Sequence, residues 1–213
     1  MTTTVLSFLA GLAFLLLGMI KLSEKMGQVL GVKIRQFIKY LAKKPIHGIG
    51  LGALSTGIFQ SSAAIIVLTI GMVGAGLITF EHSLPLILGA GIGTTITAQL
   101  VAFRVTTIAP LIILIGTLIW LLGRDKLKDW GKVIFYFGLL FFGLGLISQV
   151  VGLIKNNAVF MNLLSNLNNP WLGVLFGIII TIILQSSSAT TSLLVIFGQQ
   201  GLINIQVAIP IIL

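Results

Sequence analysis

Residues 184–192 read LQSSSATTS and lie inside an apolar run that begins near Leu172 and continues past Phe197. The stretch places one glutamine and six hydroxyl side chains where the chain is otherwise most apolar. In hydrocarbon such groups are costly unless each one finds a ligand, a water molecule or another helix as its partner. The stretch therefore indicates that a ligand, a water molecule or another helix lies against these side chains.

The composition is that of a polytopic membrane protein. Of the 213 residues, 57% are hydrophobic and 8% are charged, and the mean hydropathy is +1.15. A soluble domain carries about 25% charged residues, and its apolar runs do not approach the roughly 20 residues needed to cross a bilayer. The absence of cysteine excludes disulfides and thiolate metal sites.

The net charge of +9 raises the question of a nucleic-acid partner. The basic residues lie in linkers between apolar segments, where they act as topology signals, so we expect no nucleic acid to bind. The chain also lacks a Ser/His/Asp triad pattern, a metal-cage pattern and a phosphate-binding-loop pattern, so we do not expect an enzyme.

The same pattern occurs twice, at an offset of 125 residues and without a gap. Of the 44 positions from Pro45 to Leu88, 16 are identical to their partners between Pro170 and Leu213. The QSS at 60–62 matches the QSS at 185–187, and matched prolines and glycines share that frame. We therefore predict an all-α protein made of two repeats, 1–125 and 126–213, and we expect a second copy of Gly89–Thr95 to follow Leu213.

Charge predicts the orientation of the two copies. Seven basic residues lie from Lys21 to Lys44, whereas the matching stretch 146–169 contains only Lys155. The positive-inside rule places loops 21–44 and 124–132 in the cytoplasm and the N-terminus outside it. The copies are then inverted, as in many secondary transporters. We expect a multi-pass protein of the cell inner membrane.

Parity restricts the course of residues 46–79. Spans 83–103 and 107–122 account for the crossings between the two basic loops, so residues 46–79 make either no net crossing or two. The 15 or so residues that lead to Gln60 rise about 22 Å, too short for a core of about 30 Å, which favours a re-entrant hairpin over two tilted spans. The linker 23–44 interleaves lysines with apolar residues and is predicted to be an amphipathic interfacial helix; a solvated connector helix is the alternative.

Three polar constellations are candidates for a site: the first QSS, the second QSS with the hydroxyls after it, and the glycine-rich GAGIGTT of Gly89–Thr95. Each predicts a helix break that exposes N–H groups to an anion and carbonyl oxygens to a small cation. The alternative is that these small residues only pack helices together. The candidate residues are Gln60, Ser61, Ser62, Gly91, Thr94, Thr95, Gln185, Ser186, Ser187, Ser188, Thr190 and Thr191.

Three stretches, QSSAAIIVL (60–68), QSSSATTSLLV (185–195) and LGAGIGTT (88–95), resemble the type II sodium/phosphate cotransporter family. The resemblance covers nearly the whole chain. It implies two inverted repeats whose re-entrant QSS hairpins meet at a central site for sodium and inorganic phosphate. It also implies membrane lipids and a PhoU-like regulatory domain or protein as partners, and it leaves a homodimer open.

We accordingly predict a sodium-coupled phosphate transporter with no cofactor besides the co-transported sodium. Gln60 and Gln185 would orient the hairpin tips. Ala63 stands where the second copy has Ser188, and Gly91 stands where the family has asparagine, so the first half offers fewer oxygen ligands. The alternatives are a channel or pore, a transporter of another small anion, and a non-transporting scaffold. Sodium would be held by Ser62, Thr94, Thr95, Ser187 and Thr190.

Overall fold

The computed structural model describes residues 2–41, 44–155, 157, 160–162, 164, 167 and 169–213. Within these residues every regular element is a helix, which confirms the all-α class. The helices are α1 (Thr2–Leu41), α2 (Pro45–Phe59), α3 (Ser62–Gly74), α4 (Phe80–Ala102), a 3-10 turn (Val105–Thr107), α5 (Ala109–Leu122), α6 (Lys126–Ile154), α7 (Pro170–Leu184), α8 (Ser187–Gln199) and α9 (Ile205–Ile212).

Three of the described helices are long and apolar enough to cross a membrane. They are α1 over Thr2–Lys39, α4 and α6, and each contains a strongly apolar stretch of 18 residues. Helix α5 has 14 residues and rises about 21 Å, which is less than the hydrocarbon thickness of about 30 Å. These features are those of a membrane protein, while the particular membrane and the orientation stay predictions.

Helix α1 is continuous through the predicted linker. The sequence predicts a linker helix over 23–44, and the structure shows that its described part is not a separate helix but the second half of α1. The region contains no proline to interrupt the backbone hydrogen bonds. Lys21 Nζ donates to Glu24 at 2.7 Å on the exposed surface of the same helix. Residues 42–43 of the linker lie outside the described residues, and the interfacial position stays a prediction.

Helices α2 and α3 form a first hairpin, and α7 and α8 form a second hairpin with the same dimensions. The leading helices have 15 residues each and begin with proline, and the returning helices have 13 residues each. Gly76 and Gly201, which follow the two hairpins at the same offset of 125, both have positive φ, 67° and 73°. The helix break at each QSS is observed; the re-entrant course in a membrane stays a prediction.

Glycines allow each hairpin to pack closely on the helix that follows it. A Cβ at Gly52 of α2 would overlap the Leu86 carbonyl oxygen of α4. A Cβ at Gly177 of α7 would overlap the Ile211 carbonyl oxygen of α9 in the same way. Both residues of the second contact are the repeat partners of those in the first. Small residues that let backbones approach are the usual basis of helix association in membranes.

The described chain divides into two compact units that interleave along the sequence. The α2–α3 unit consists of Met19–Thr97 and Ile112–Phe137, and it contains the first hairpin. The α7–α8 unit consists of Met1–Gly18, Ala98–Leu111 and Gly138–Leu213, and it contains the second hairpin. The repeat boundaries 1–125 and 126–213 stay predictions.

Within the α7–α8 unit, α1 and α6 make a reciprocal contact. A Cβ at Gly18 would overlap the backbone of Leu140, and a Cβ at Gly143 would overlap the backbone of Leu15. Gly143 and Leu140 are the repeat partners of Gly18 and Leu15, so the same contact is made twice. The later residue of α1, Gly18, contacts the earlier residue of α6, Leu140, and the earlier Leu15 contacts the later Gly143. These two segments are therefore antiparallel. A two-fold relation between matching elements would give this pattern. The inversion of the repeats stays a prediction.

Replacing Gly52 with alanine is expected to lower the thermal-unfolding midpoint of the detergent-solubilised protein. The added methyl group has no room against the α4 backbone, and overpacking of this kind costs about 1–3 kcal/mol. Gly50→Ala is the matched control, since a Cβ there meets no atom within 4 Å and alanine favours the helix. Equal midpoints for the two variants would contradict the close packing of α2 on α4.

Candidate ion-binding site

The first hairpin turns at a tip made by Gln60 and Ser61. Gln60 has left-handed backbone angles, φ 53° and ψ 27°, and Ser61 is extended, with φ −151° and ψ 104°. The Ser61 Oγ accepts a hydrogen bond from the Ala64 amide at 3.2 Å and so caps the start of α3. The local chemistry of two adjacent residues therefore ends one helix and begins the next.

The second hairpin turns in the same manner. Gln185 is left-handed, with φ 50° and ψ 28°, and Ser186 is extended, with φ −154° and ψ 113°. The Ser186 Oγ accepts from the Ala189 amide at 3.2 Å. The two tips thus have one backbone geometry, as the sequence repeat predicts for these residues.

Glutamine is an unusual residue for a left-handed position, where glycine avoids a cost of about 1–2 kcal/mol. Its presence at both tips indicates that the amide side chain has a role. Gln60 is 5% exposed. Its Nε2 donates to the Gly57 carbonyl oxygen, and its Oε1 accepts from the Thr97 hydroxyl at 2.7 Å. Gln60 therefore satisfies the end of α2 and ties the first hairpin to α4.

Thr56 lies one turn before Gln60 on α2, and its side chain is only 2% exposed. The Thr56 hydroxyl is buried and has no hydrogen-bond partner among the described residues. The side chain packs beside Gly93 of α4, where an added Cβ would lie 2.7 Å from the Thr56 Cβ. Leaving a buried hydroxyl unpaired costs about 1–3 kcal/mol, so this oxygen marks a place where a bound water molecule or a ligand would supply the missing partner.

The second hairpin shows why Thr56 lacks a protein partner. Thr181, its counterpart at the offset of 125, lies 3.0 Å from the hydroxyl of Thr190. Thr190 also donates to the Ser186 carbonyl oxygen at 3.2 Å. In the first hairpin Ile65 occupies the position of Thr190 and cannot form a hydrogen bond through its side chain. The first hairpin therefore keeps one member of the Thr181–Thr190 pair, as Thr56, and lacks the other.

The other hydroxyls of α8 form a ladder along its first turns. Thr191 donates to the Ser187 carbonyl oxygen at 2.8 Å, and Ser192 donates to the Ser188 carbonyl oxygen at 2.7 Å. The hydroxyls of Ser186 and Ser188 lie 3.0 Å apart. A hydroxyl that gives its proton to a carbonyl keeps oxygen lone pairs with which it can coordinate a cation.

The two glutamines differ in their surroundings. Gln185 is exposed, and its side chain makes no hydrogen bond with the described part of the chain, in contrast to Gln60. Ser62 is half-buried and Ser187 is exposed, and neither hydroxyl is hydrogen-bonded to another described residue. These two serines and Gln185 are therefore available to a ligand.

The predicted break at GAGIGTT is wrong, because Gly89–Thr95 lies within the continuous helix α4. Gly89 and Gly93 are four residues apart and share a face of α4. A Cβ at either position would overlap a backbone carbonyl oxygen of α2. Here the glycines serve close packing, and the backbone stays hydrogen-bonded within the helix.

The remaining predicted residues of α4 lie outside that packed face. A Cβ added at Gly91 would meet no atom within 4 Å, and Thr95 is exposed. Thr94 donates to the Ala90 carbonyl oxygen at 3.1 Å, and Thr95 donates to the Ile92 carbonyl oxygen at 2.8 Å. Sequence reasoning selected these threonines and missed Thr97, which contacts Gln60 directly. The ion-binding role of Gly91, Thr94 and Thr95 stays a prediction.

An apolar cavity in the α7–α8 unit offers no comparable ligands. Its volume is about 630 Å³, and its lining consists of 14 hydrophobic residues and Thr4. One hydroxyl does not replace the hydration shell of an ion, so the polar groups at the hairpins remain the candidate site.

Comparison with known proteins matches residues 14–149 and 155–213 to the family described as Na+/Pi-cotransporter. YqeW of Bacillus subtilis, whose name carries no function, is 30% identical over 213 residues, 100% of this chain and 67% of that protein. YjbB of Escherichia coli K12, named for inorganic phosphate export, is 31% identical over 217 residues, 99% of this chain and 39% of that protein.

The human sodium-dependent phosphate transport protein 2B is 34% identical over 88 residues, 39% of this chain and 13% of that protein. The chain thus spans about two fifths of the length of YjbB and a smaller part of the human protein. No solved structure matches the chain.

Replacing Thr97 with valine is expected to destabilise the protein by about 1–3 kcal/mol, because the buried Gln60 Oε1 loses the donor that satisfies it. The measurement is the thermal-unfolding midpoint in detergent. Thr97→Ser keeps a hydroxyl and should recover most of the loss. Thr117→Val removes a hydroxyl that bonds only to the Ile113 carbonyl oxygen of its own helix and should cost less. A Thr97→Val midpoint equal to that of the parent would contradict the assigned role.

Proposed function

Because the chain belongs to the Na+/Pi-cotransporter family, we propose that it is a sodium-coupled secondary transporter of inorganic phosphate, with its ion ligands at the two QSS hairpins. The names of the human relative and of YjbB support phosphate as the anion. Of these two names only the human one includes sodium dependence, so we propose sodium coupling from that name and from the family description.

The observation that carries the proposal is the unpartnered hydroxyl of Thr56. A sodium ion needs oxygen ligands to replace its hydration shell, and a buried hydroxyl without a partner supplies one. Thr56 lies in the last turn of α2, and Gln60 directly follows that turn. The carbonyl end of α2 lies at the same tip and carries the negative end of the helix dipole, which favours a cation. We place a sodium ion at this tip.

The anion uses the other half of each tip. Helices α3 and α8 start there with free N–H groups and with the positive end of the dipole, which favour phosphate. The hydroxyls of Ser62 and Ser187 are further donors, and Ser61 and Ser186 hold the N–H groups in place by capping. Gln185 is exposed and donates its amide to the same ligand.

The lack of fixed positive charge explains why sodium and phosphate would bind together. Residues 45–103 and 170–213 contain no lysine or arginine. A phosphate ion bound in either segment is neutralised only by bound cations. Each ion then raises the affinity of the other by the same factor, which is the thermodynamic basis of coupled transport.

The remaining candidate residues complete the cation sites in this proposal. In the second hairpin the Thr181 hydroxyl already bonds to Thr190. Sodium is held there by the remaining lone pairs of the Thr190 and Thr191 hydroxyl oxygens. Thr94 and Thr95 contribute hydroxyl oxygens from α4. Ser187 and Ser62 bind the anion or the cation at their own tips.

Phosphate export is a second candidate because YjbB, which aligns with 99% of this chain, is named for export. A symporter moves phosphate in the direction set by the combined gradients of its two ions. A dedicated exporter would move phosphate outward whether or not sodium is present. The sodium gradient therefore separates the two functions.

The transport experiment uses proteoliposomes that contain the purified chain and measures uptake of radiolabelled phosphate. An inward sodium gradient should drive uptake, and a sodium ionophore should abolish it. Thr56→Val should raise the sodium concentration for half-maximal uptake by on the order of tenfold, because one oxygen ligand is lost. The same variant should be at least as stable as the parent without sodium, since no unpaired hydroxyl is then buried.

Thr69→Val is the matched control. Thr69 is buried in the same hairpin, donates to the Ile65 carbonyl oxygen at 2.8 Å, and has Leu194 as its counterpart in the second hairpin. The sodium concentration for half-maximal uptake by this variant should equal that of the parent. Uptake that ignores the sodium gradient would refute coupling, and flux that never saturates with phosphate would indicate a pore.

A further inference from the structure

A small cavity in the α2–α3 unit lies away from the hairpins, between the lysine-rich part of α1 and the first turns of α6. Its volume is about 240 Å³, several times the roughly 30 Å³ of a water molecule. Polar lining is provided by Gln28 and Lys33 of α1 and by Lys126 and Asp129 of α6. The Trp130 indole closes one wall.

The charge around this cavity is strongly positive. Residues 19–39 and 124–132 contain nine basic and three acidic residues. The Asp129 Oδ1 lies 3.9 Å from Lys25 Nζ and 3.6 Å from Lys132 Nζ, so its charge is already compensated. Lys33 and Lys126 form no ion pair with an acidic residue of the described chain, and they leave two ammonium groups for an anionic ligand.

The walls also have an apolar character. Val29 and Leu30 line the cavity, and Trp130 is 39% exposed beside it. The neighbouring side chains of Val32 and Leu127 are 71% and 58% exposed. A small hydrated anion gains no binding energy from these apolar side chains. An amphipathic ligand contacts both the lysines and the apolar walls. Tryptophan is enriched where membrane proteins meet lipid headgroups for the same reason.

We propose that this cavity binds the headgroup of an anionic phospholipid. Lys33 and Lys126 contact the phosphate, Gln28 and the Trp130 N–H are further donors, and the acyl chains follow the exposed apolar surface beside Val32 and Leu127. Basic pockets between membrane helices recognise lipid headgroups in this way. The site is separate from the hairpins, and lipid binding there does not depend on whether the chain transports phosphate.

The test follows Trp130 as the only tryptophan, in a Trp120→Phe/Trp171→Phe background. The protein is placed in nanodiscs of phosphatidylcholine with increasing fractions of phosphatidylglycerol, and the emission maximum is recorded. Binding should shift the emission in a saturable manner. Lys33→Gln with Lys126→Gln should raise the phosphatidylglycerol fraction at half-maximal shift by on the order of tenfold, because two cationic contacts are lost. Native mass spectrometry of the chain with its native tryptophans should show the matching loss of retained phosphatidylglycerol.

Lys128→Gln is the matched control, since it removes one charge from the same turn at a position that does not line the cavity. It should leave the half-maximal fraction unchanged. An effect of Lys128→Gln equal to that of Lys126→Gln alone would overturn the site in favour of general surface charge. A shift produced by inorganic phosphate in nanodiscs of phosphatidylcholine alone would overturn the choice of a lipid ligand. An unchanged unfolding midpoint in phosphatidylcholine alone shows that the variants are folded.

Discussion

A helix that ends leaves backbone carbonyl and amide groups without a partner in the helix, and both hairpins of this chain meet that constraint with the same two residues. A left-handed glutamine ends the first helix, and an extended serine caps the second. In the first hairpin the Gln60 side chain also satisfies a carbonyl of α2. At each tip the carbonyl end of one helix is followed by the amide end of the next, and these ends favour a cation and an anion respectively.

Close helix packing makes this arrangement precise in the first hairpin. Gly52 of α2 and Gly89 and Gly93 of α4 allow the two backbones to approach, and this approach lets Thr97 reach the Gln60 amide. The same closeness excludes water from Thr56, whose hydroxyl then has no partner in the described chain. Close packing and the unpaired hydroxyl of Thr56 are therefore two consequences of the same small residues.

The sequence was sufficient to predict the all-α class, the two helix breaks and their equivalence, because matched proline, glycine and QSS positions report local backbone geometry. The continuity of α1 was missed because lysines indicate where a segment lies relative to the membrane and do not indicate where a helix ends. The break at GAGIGTT was wrong because glycines four residues apart serve packing as readily as they serve a turn. Thr56 and Thr97 were missed because a threonine in an apolar helix usually bonds to its own backbone. A signal for Thr56 was present: it matches Thr181, while isoleucine replaces the partner Thr190.

The most direct measurement is equilibrium binding of radiolabelled phosphate to the purified, detergent-solubilised chain, titrated with sodium chloride at constant ionic strength against potassium chloride. If neutral oxygens at the hairpin tips hold phosphate only together with sodium, the phosphate Kd falls steeply and saturably as sodium replaces potassium. Phosphate that binds equally well in potassium alone would contradict the assignment, because the anion would then need no co-bound sodium.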